Sequence, residues 1–169
     1  MRIIGIDPGL AIVGWGVVES VRGSVRPVAY GAITTPAHTP IEDRLLMIAT
    51  DLEAILKKYE PEEMAVEELF FTNNITTGIS VAEARGVILC TAKRNGVKIA
   101  EYTPPQVKQA VVGYGKAEKH QVIAMVTSIL GLPKPPKPDD TADAIAIAIC
   151  HSQCRNSAME KYFNQRKTF

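Results

Sequence analysis

The first twenty residues limit the fold more than any other part of the chain. "RIIGID" at 2–7 carries three β-branched residues, Ile3, Ile4 and Ile6, and reads as a buried strand. "VGWGVVES" at 13–20 is a second apolar run. Between them, Pro8 pushes Asp7 toward extended dihedrals. Pro8-Gly9 fits the two central positions of a type II turn. A strand, a turn and a strand make a hairpin, so the chain is expected to open with antiparallel pairing. The same stretch leaves a carboxylate, Asp7, at the mouth of its first strand. Taken alone, Asp7 is equally a turn former, because Asp is favoured in turns.

The rest of the chain changes rhythm. A third strand is expected at about 25–33, after the turn signal "RGS" at 22–24. From about Pro40 to Tyr59, Leu45, Ile48, Leu52, Ile55 and Leu56 recur at helical spacing. "EPEE" at 60–63 stops that helix, and "MAVEE" at 64–68 reads as a strand. "FFTNNITTG" at 70–78 reads as a loop. The segment at 79–96 reads as a helix ended by Asn95-Gly96. "VKIAEY" at 97–102 is a fifth strand. Three helices follow: a short one opened by "TPPQ", one at 116–131, and "DDTADAIAIAICHSQC" at 139–154. The proline-rich "LPKPPKP" at 132–138 is a stiff connector between the last two. A hairpin meander followed by helical crossovers implies an α/β fold, a mixed sheet with helices on its faces.

Glu67 closes a strand as Asp7 does. If the two strands are parallel neighbours, their carboxyl ends share the sheet edge where open α/β sheets place ligands. Glu67 and Glu68 are not separated by this argument, because side chains alternate faces along a strand. Within "DDTAD", Asp140 and Asp143 stand three apart at a helix start and can share one face. Acids also serve a helix's first turn as dipole partners. Four converging carboxylates would repel one another unless cations intervene. Magnesium prefers hard oxygen ligands and takes others from phosphate. Two such ions about 4 Å apart can clamp both oxygens of a phosphodiester displacement.

Charge points the same way. Residues 42–68 carry nine acids and three bases, whereas 93–137 carry eight bases and two acids, although the whole chain is only +1. A basic half beside an acidic one suits a polyanion partner, and equally suits solvated faces. The length of 169 residues is enough for one domain with a core. No apolar stretch is long enough to span a bilayer, and the start lacks a signal-peptide pattern. Three cysteines, 90, 150 and 154, show no framework spacing. A reducing, cytoplasmic setting is expected.

The motifs "GIDPGL", "AVEELFF", "AEARGV", "PPQVKQAVVGYGKAEKHQV" and "DDTADAIAIAICH" resemble the bacterial Holliday junction resolvases of the RuvC family, in the family's order from residue 2 to about 160. The resemblance implies a ribonuclease H-like fold, a five-stranded mixed sheet flanked by helices. That nuclease domain would occupy 1–155, with 156–169 a polar, loosely ordered tail. It implies a homodimer making paired symmetric nicks in four-way junction DNA and leaving 5′-phosphate and 3′-hydroxyl ends. It implies two Mg2+ ions, with Mn2+ able to substitute, held by Asp7, Glu67, Asp140 and Asp143. The match to "AVEE" favours Glu67 over Glu68, and the match to "DxxD" favours Asp140 over Asp139. It implies work alongside the RuvA and RuvB branch-migration proteins.

Other positions follow from the same match. Phe70, with Phe71 as a second, resembles the family's junction-probing aromatic, and aromatic faces stack on unpaired bases. Lys108 and Lys119 match basic positions near the cleaved strand, where a lysine neutralises phosphate and stabilises developing charge. Lys116 is a further DNA-binding candidate, with Arg85 and Lys93 behind it. A zinc reading of Cys150, His151 and Cys154 lacks a fourth ligand. His120 is expected to meet solvent or DNA. Ala84 and Gly86 are expected to permit close helix packing, the dimer interface being one place for it, and Trp15 to belong to the core. Three rival readings share parts of this pattern. A related nuclease acting on a hybrid or plain duplex would carry the same acids. A sugar kinase or actin-like ATPase would need a second domain. A non-catalytic DNA-binding module would have no use for four acids.

Overall fold

The computed structural model describes residues 1–68 and 75–155, with the side chains of 75–77 excepted. Phe70, Phe71 and the tail at 156–169 lie outside the described residues. Among the described residues there are five strands and five helices. They are β1 (Arg2–Asp7), β2 (Ile12–Val21), β3 (Ser24–Thr34), α1 (Ile41–Tyr59) and β4 (Glu63–Glu67), then α2 (Ile75–Arg94), β5 (Lys98–Tyr102), α3 (Pro104–Val112), α4 (Lys119–Ile129) and α5 (Asp139–Cys154).

The strands form one sheet in the order β3-β2-β1-β4-β5. β1–β2 and β2–β3 are antiparallel, whereas β1–β4 and β4–β5 are parallel. This is the expected mixed sheet. The β2–β3 hairpin turns through Arg22 and Gly23 at φ of 49° and 84°. Two central residues with positive φ match the strand twist of a two-residue hairpin.

Each face of the sheet has its own core. On one, Ile48, Leu52 and Leu56 of α1 and Ala84 and Ile88 of α2 pack on Ile4, Ile6, Met64 and Val66. On the other, α3, α4 and α5 pack on Ile3, Val18, Ala65 and Tyr102. The period-2 alternation of β1 and β4 serves both layers at once. α5 is buried along most of its length, from Thr141 to His151. Its alternating alanines and isoleucines let it lie flat between sheet and outer helices.

Three glycines make that approach possible. A Cβ at Gly5 would stand 2.0 Å from the Ala144 carbonyl oxygen, and one at Gly14 would stand 2.0 Å from that of Asp140. At Gly16 it would meet the Ile145 side chain at 2.5 Å. Any side chain at 5 or 14 therefore collides with main chain, which cannot turn aside. The Thr141 hydroxyl adds a bond of 3.0 Å to the Gly31 carbonyl oxygen, fixing the start of α5 against β3.

Three expectations need correcting. Gly9 does not adopt positive φ, so Pro8-Gly9 is not a type II turn, which requires φ > 0 at its third residue. Glycine is needed there for space: a Cβ would lie 2.2 Å from the Ile12 carbonyl oxygen. α2 begins at Ile75, so the end of the expected loop at 70–78 is helical. α4 begins at Lys119 rather than 116, because Glu118 and Gln121 close a capping box there. Ala84 is fully buried, and a Cβ on Gly86 would meet nothing within 4 Å among the described residues, so any close packing at Gly86 would be with a second copy of the chain.

Candidate active site

The parallel β1–β4 register sets Ile6 beside Val66, which puts Asp7 and Glu67 side by side at the carboxyl edge of the sheet. Both point to the α5 face, the side of Gly5 and Ala65. α5 starts at that edge and runs down toward the other, so Asp140 and Asp143 in its first turns overhang Asp7. The helix spacing and the glycine contacts together bring all four acids within electrostatic reach.

Asp7 records this most strongly. Its carboxyl is pushed from the ordinary 3.8 up to about 8, first by burial, then by Asp143, Glu67 and Asp140, with Lys119 pulling the other way. Glu67 is raised by burial and by Asp143, against Lys108 and Lys119. Each ionised acid makes the next harder to ionise. Glu67 is held from behind by Arg85, whose Nε donates to the Glu67 carbonyl at 3.1 Å while its guanidinium pairs with Glu101. The neighbouring Asp139 is turned to another use: its side chain is exposed and pairs with Lys137 at 3.0 Å.

Lys119 Nζ sits 2.8 Å from Asp143 Oδ2. The bond to Asp143 raises the Lys119 pKa. Half of the Lys119 side chain is exposed, and exposed ion pairs contribute little stability. This pair is therefore easily exchanged for a stronger partner. Lys108 and Lys119, with Glu67, Asp143, Val122 and Ala146, line a cleft of about 190 Å3. α3 is fixed for this by a capping box between Thr103 and Gln106. Lys116 is exposed between α3 and α4, away from the acids, and Lys93 is exposed at the end of α2.

The donor set is all carboxylate oxygen, which suits a hard divalent cation. Among the described residues no three of these side chains close on one point as a finished metal cage. The raised Asp7 records burial first and then three neighbouring carboxylates, which Lys119 offsets in part.

Several other residues have partners of their own outside the site. His151 is buried, its Nδ1 2.7 Å from the Tyr102 hydroxyl and its Nε2 2.7 Å from Glu63 Oε2. Arg155 reaches the same Glu63 oxygen at 3.0 Å. Both ring nitrogens are thus engaged away from Cys150 and Cys154, whose sulfurs lie 4.0 Å apart. His120 is exposed beside Glu118 at 3.2 Å. Trp15 packs against Tyr59 with ring centroids 5.8 Å apart and borders the core. The sequence reading missed Arg85 as a brace, the glycine contacts under α5 and the buried Glu63–His151–Tyr102 chain. Glycines at 5, 14 and 16, within strands and two apart in β2, were the available signal for the second.

Residues 3–151 match the family described as "Crossover junction endodeoxyribonuclease RuvC". A protein of that name from Desulfitobacterium hafniense is 55% identical over 156 residues, covering 92% of this chain and 94% of its own. Another, from Heliobacterium modesticaldum, is 57% identical over 150 residues, covering 89% and 93%. The structure of Thermus thermophilus RuvC in complex with Holliday junction substrate superposes with a TM-score of 0.88 at 36% identity, covering 94% and 97%. A yeast mitochondrial resolvase, Ydc2, shares the fold at a TM-score of 0.66 and 13% identity. Sequence, element order and sheet topology agree over nearly the whole length, and the chain belongs to the RuvC family of crossover junction endodeoxyribonucleases.

Proposed function

We propose that this protein resolves four-way DNA junctions by metal-dependent hydrolysis of phosphodiester bonds, in homologous recombination and repair. The observation that carries the reading is the convergence of Asp7, Glu67, Asp140 and Asp143 at one sheet edge, in a chain of this family. Those four residues would hold two Mg2+ ions, with Mn2+ as a substitute. Bound there, the ions would activate water and offset charge on the leaving oxygen.

The chain's own groups do the rest. Asp7 and Glu67, on adjacent strands, give a rigid half of the binding set, and α5 supplies the other half. Lys119 would leave Asp143 for a phosphate oxygen, neutralising charge near the bond that breaks. Lys108 faces the same cleft and would hold the strand in line. Val122 and Ala146 give the cleft an apolar wall. Phe70 and Phe71 stand three and four residues after Glu67 in sequence; Phe70, with Phe71 as a second, would stack on bases opened at the junction centre. Lys116 would contact phosphates farther out.

The products would carry 5′-phosphate and 3′-hydroxyl ends. A homodimer suits a substrate with two equivalent strands. The protein would work in the cytoplasm with RuvA and RuvB. No helix among the described residues is long and apolar enough to cross a membrane.

The test is a nicking assay on a synthetic four-way junction and a matched linear duplex, with magnesium or chelator. Paired nicks in the junction alone, lost in Asp7→Asn while binding persists, are expected. Equal cutting of the duplex would remove the junction specificity from this reading.

A further inference from the structure

A second groove, of about 450 Å3, opens on the other side of the sheet edge. Gly9, Leu10, Ile12, Arg44, Ser80 and Asp140 line it. It faces the α1/α2 layer, whereas the cleft of Lys108 and Lys119 faces the α3/α4 layer. Asp140 belongs to this groove and Asp143 to the cleft, so the carboxylates sit between the two openings.

Arg44 is the cation of this groove, and it is held in place. Its Nε donates to Thr35 Oγ1 at 2.8 Å. The Thr35 hydroxyl in turn donates to the Leu10 carbonyl at 2.6 Å, and Thr35 is buried. The chain of bonds ties α1 to the segment that follows Asp7. With Nε so engaged, the guanidinium has Nη1 and Nη2 left to donate as a fork, the geometry that matches two oxygens of one phosphate. Among the described residues no carboxylate pairs with Arg44. A half-buried arginine fixed by a neutral hydroxyl, beside an excess of carboxylates but bonded to none, is preorganised for an anion from outside.

We propose that Arg44 and this groove hold a backbone phosphate of the cleaved strand, on the α1/α2 side of the carboxylates. The inference rests on the junction-nuclease reading above. A strand crossing the four acids carries phosphates on both sides of the bond to be cut. Lys108 and Lys119 serve one side, and Arg44 gives the other side a partner of fixed direction.

The test uses the full-length protein and a junction in which single phosphates near the cut are replaced, one at a time, by uncharged methylphosphonates. In the wild type, one replacement on the Arg44 side is expected to weaken binding about tenfold, as for loss of a charged hydrogen bond. Arg44→Met should weaken binding of the unmodified junction by a similar factor, and that same methylphosphonate should then cost nothing more. The slope of log K against log salt should fall by about 0.7–0.9, one phosphate contact. Thr35→Val, which frees the arginine but keeps its charge, should leave the salt slope unchanged. Arg44→Gln runs beside Arg44→Met with a melting curve, so that one folded uncharged variant is read. The proposal fails if the folded variant keeps the wild-type salt slope and the full methylphosphonate penalty at every position. Failure of the wild type to prefer junction over duplex would overturn the junction reading instead, and this inference with it.

Discussion

Replacing Asp7 by asparagine should make the metal-free protein more stable while removing its activity. Below pH 3.8 the Asp7 carboxyl is protonated in folded and unfolded chains alike, so it favours neither. Between 3.8 and about 8 the unfolded chain ionises and the folded one keeps its proton. Folding then takes up a proton, and stability falls by about 1.4 kcal/mol per pH unit across that window. By pH 7 the full effect would be about 4 kcal/mol. Water penetration and adjustment of Glu67 and Asp143 reduce that to about 2 kcal/mol. An asparagine has no charge to bury, so Asp7→Asn recovers this. For a chain of this length the gain is about 4–8 °C in melting temperature. The assay is thermal unfolding in chelator from pH 5 to 8.5, then again with magnesium. Wild-type stability attributable to this group should decline toward pH 8, and the variant's advantage should widen over the same interval. Magnesium should raise the wild type and narrow the gap. An Asp7→Asn protein that melts at or below the wild type in chelator at pH 7.5 would refute the electrostatic account of the site.

Other expectations follow from packing and charge. Gly14→Ala should cost about 3 kcal/mol or more in urea unfolding, because the new methyl meets the Asp140 carbonyl at 2.0 Å; nicking should fall with all four acids intact. Lys119→Met should reduce the nicking rate about 100-fold under saturating junction, since it removes a charge from the reacting side, with binding weakened only about threefold. His151→Leu should destabilise the fold by about 3 kcal/mol in denaturant titration, leaving buried Glu63 with Arg155 alone among its described partners; below its melting point the variant should still nick.

The sheet was legible because its strands are apolar, carry many β-branched residues and are separated by turn signals. Asp7 and Glu67 could be paired in advance because both end apolar runs, and parallel neighbours must end at one edge. Asp140 and Asp143 followed from helical spacing. The choice of Glu67 over Glu68, and of Asp140 over Asp139, came from the family motif, since local sequence gives no depth for α5. Arg44 was not legible as a site residue, and Arg85 was legible as a basic residue but not as a brace. Each is an arginine on a helix, and each acquires its position through partners outside that helix: Glu67 and Glu101 for one, Thr35 for the other. His151 was hard for the same reason, as its partner Glu63 lies 88 residues away. The type II turn failed because Gly9 answers a steric demand rather than a dihedral one, and a sequence does not distinguish the two.

The contact between α5 and the sheet has one more consequence. Where Gly5 and Gly14 meet Ala144 and Asp140, main chain rests on main chain, with no side chain between them. The gap between the strand-borne acids and the helix-borne acids is therefore built from atoms common to every polypeptide. Substitutions in the surrounding core can change how firmly that gap is held, but they have little means of resizing it. Such a spacer is insensitive to drift in the rest of the sequence, and it ties the separation of the strand-borne and helix-borne carboxylates to the backbone itself.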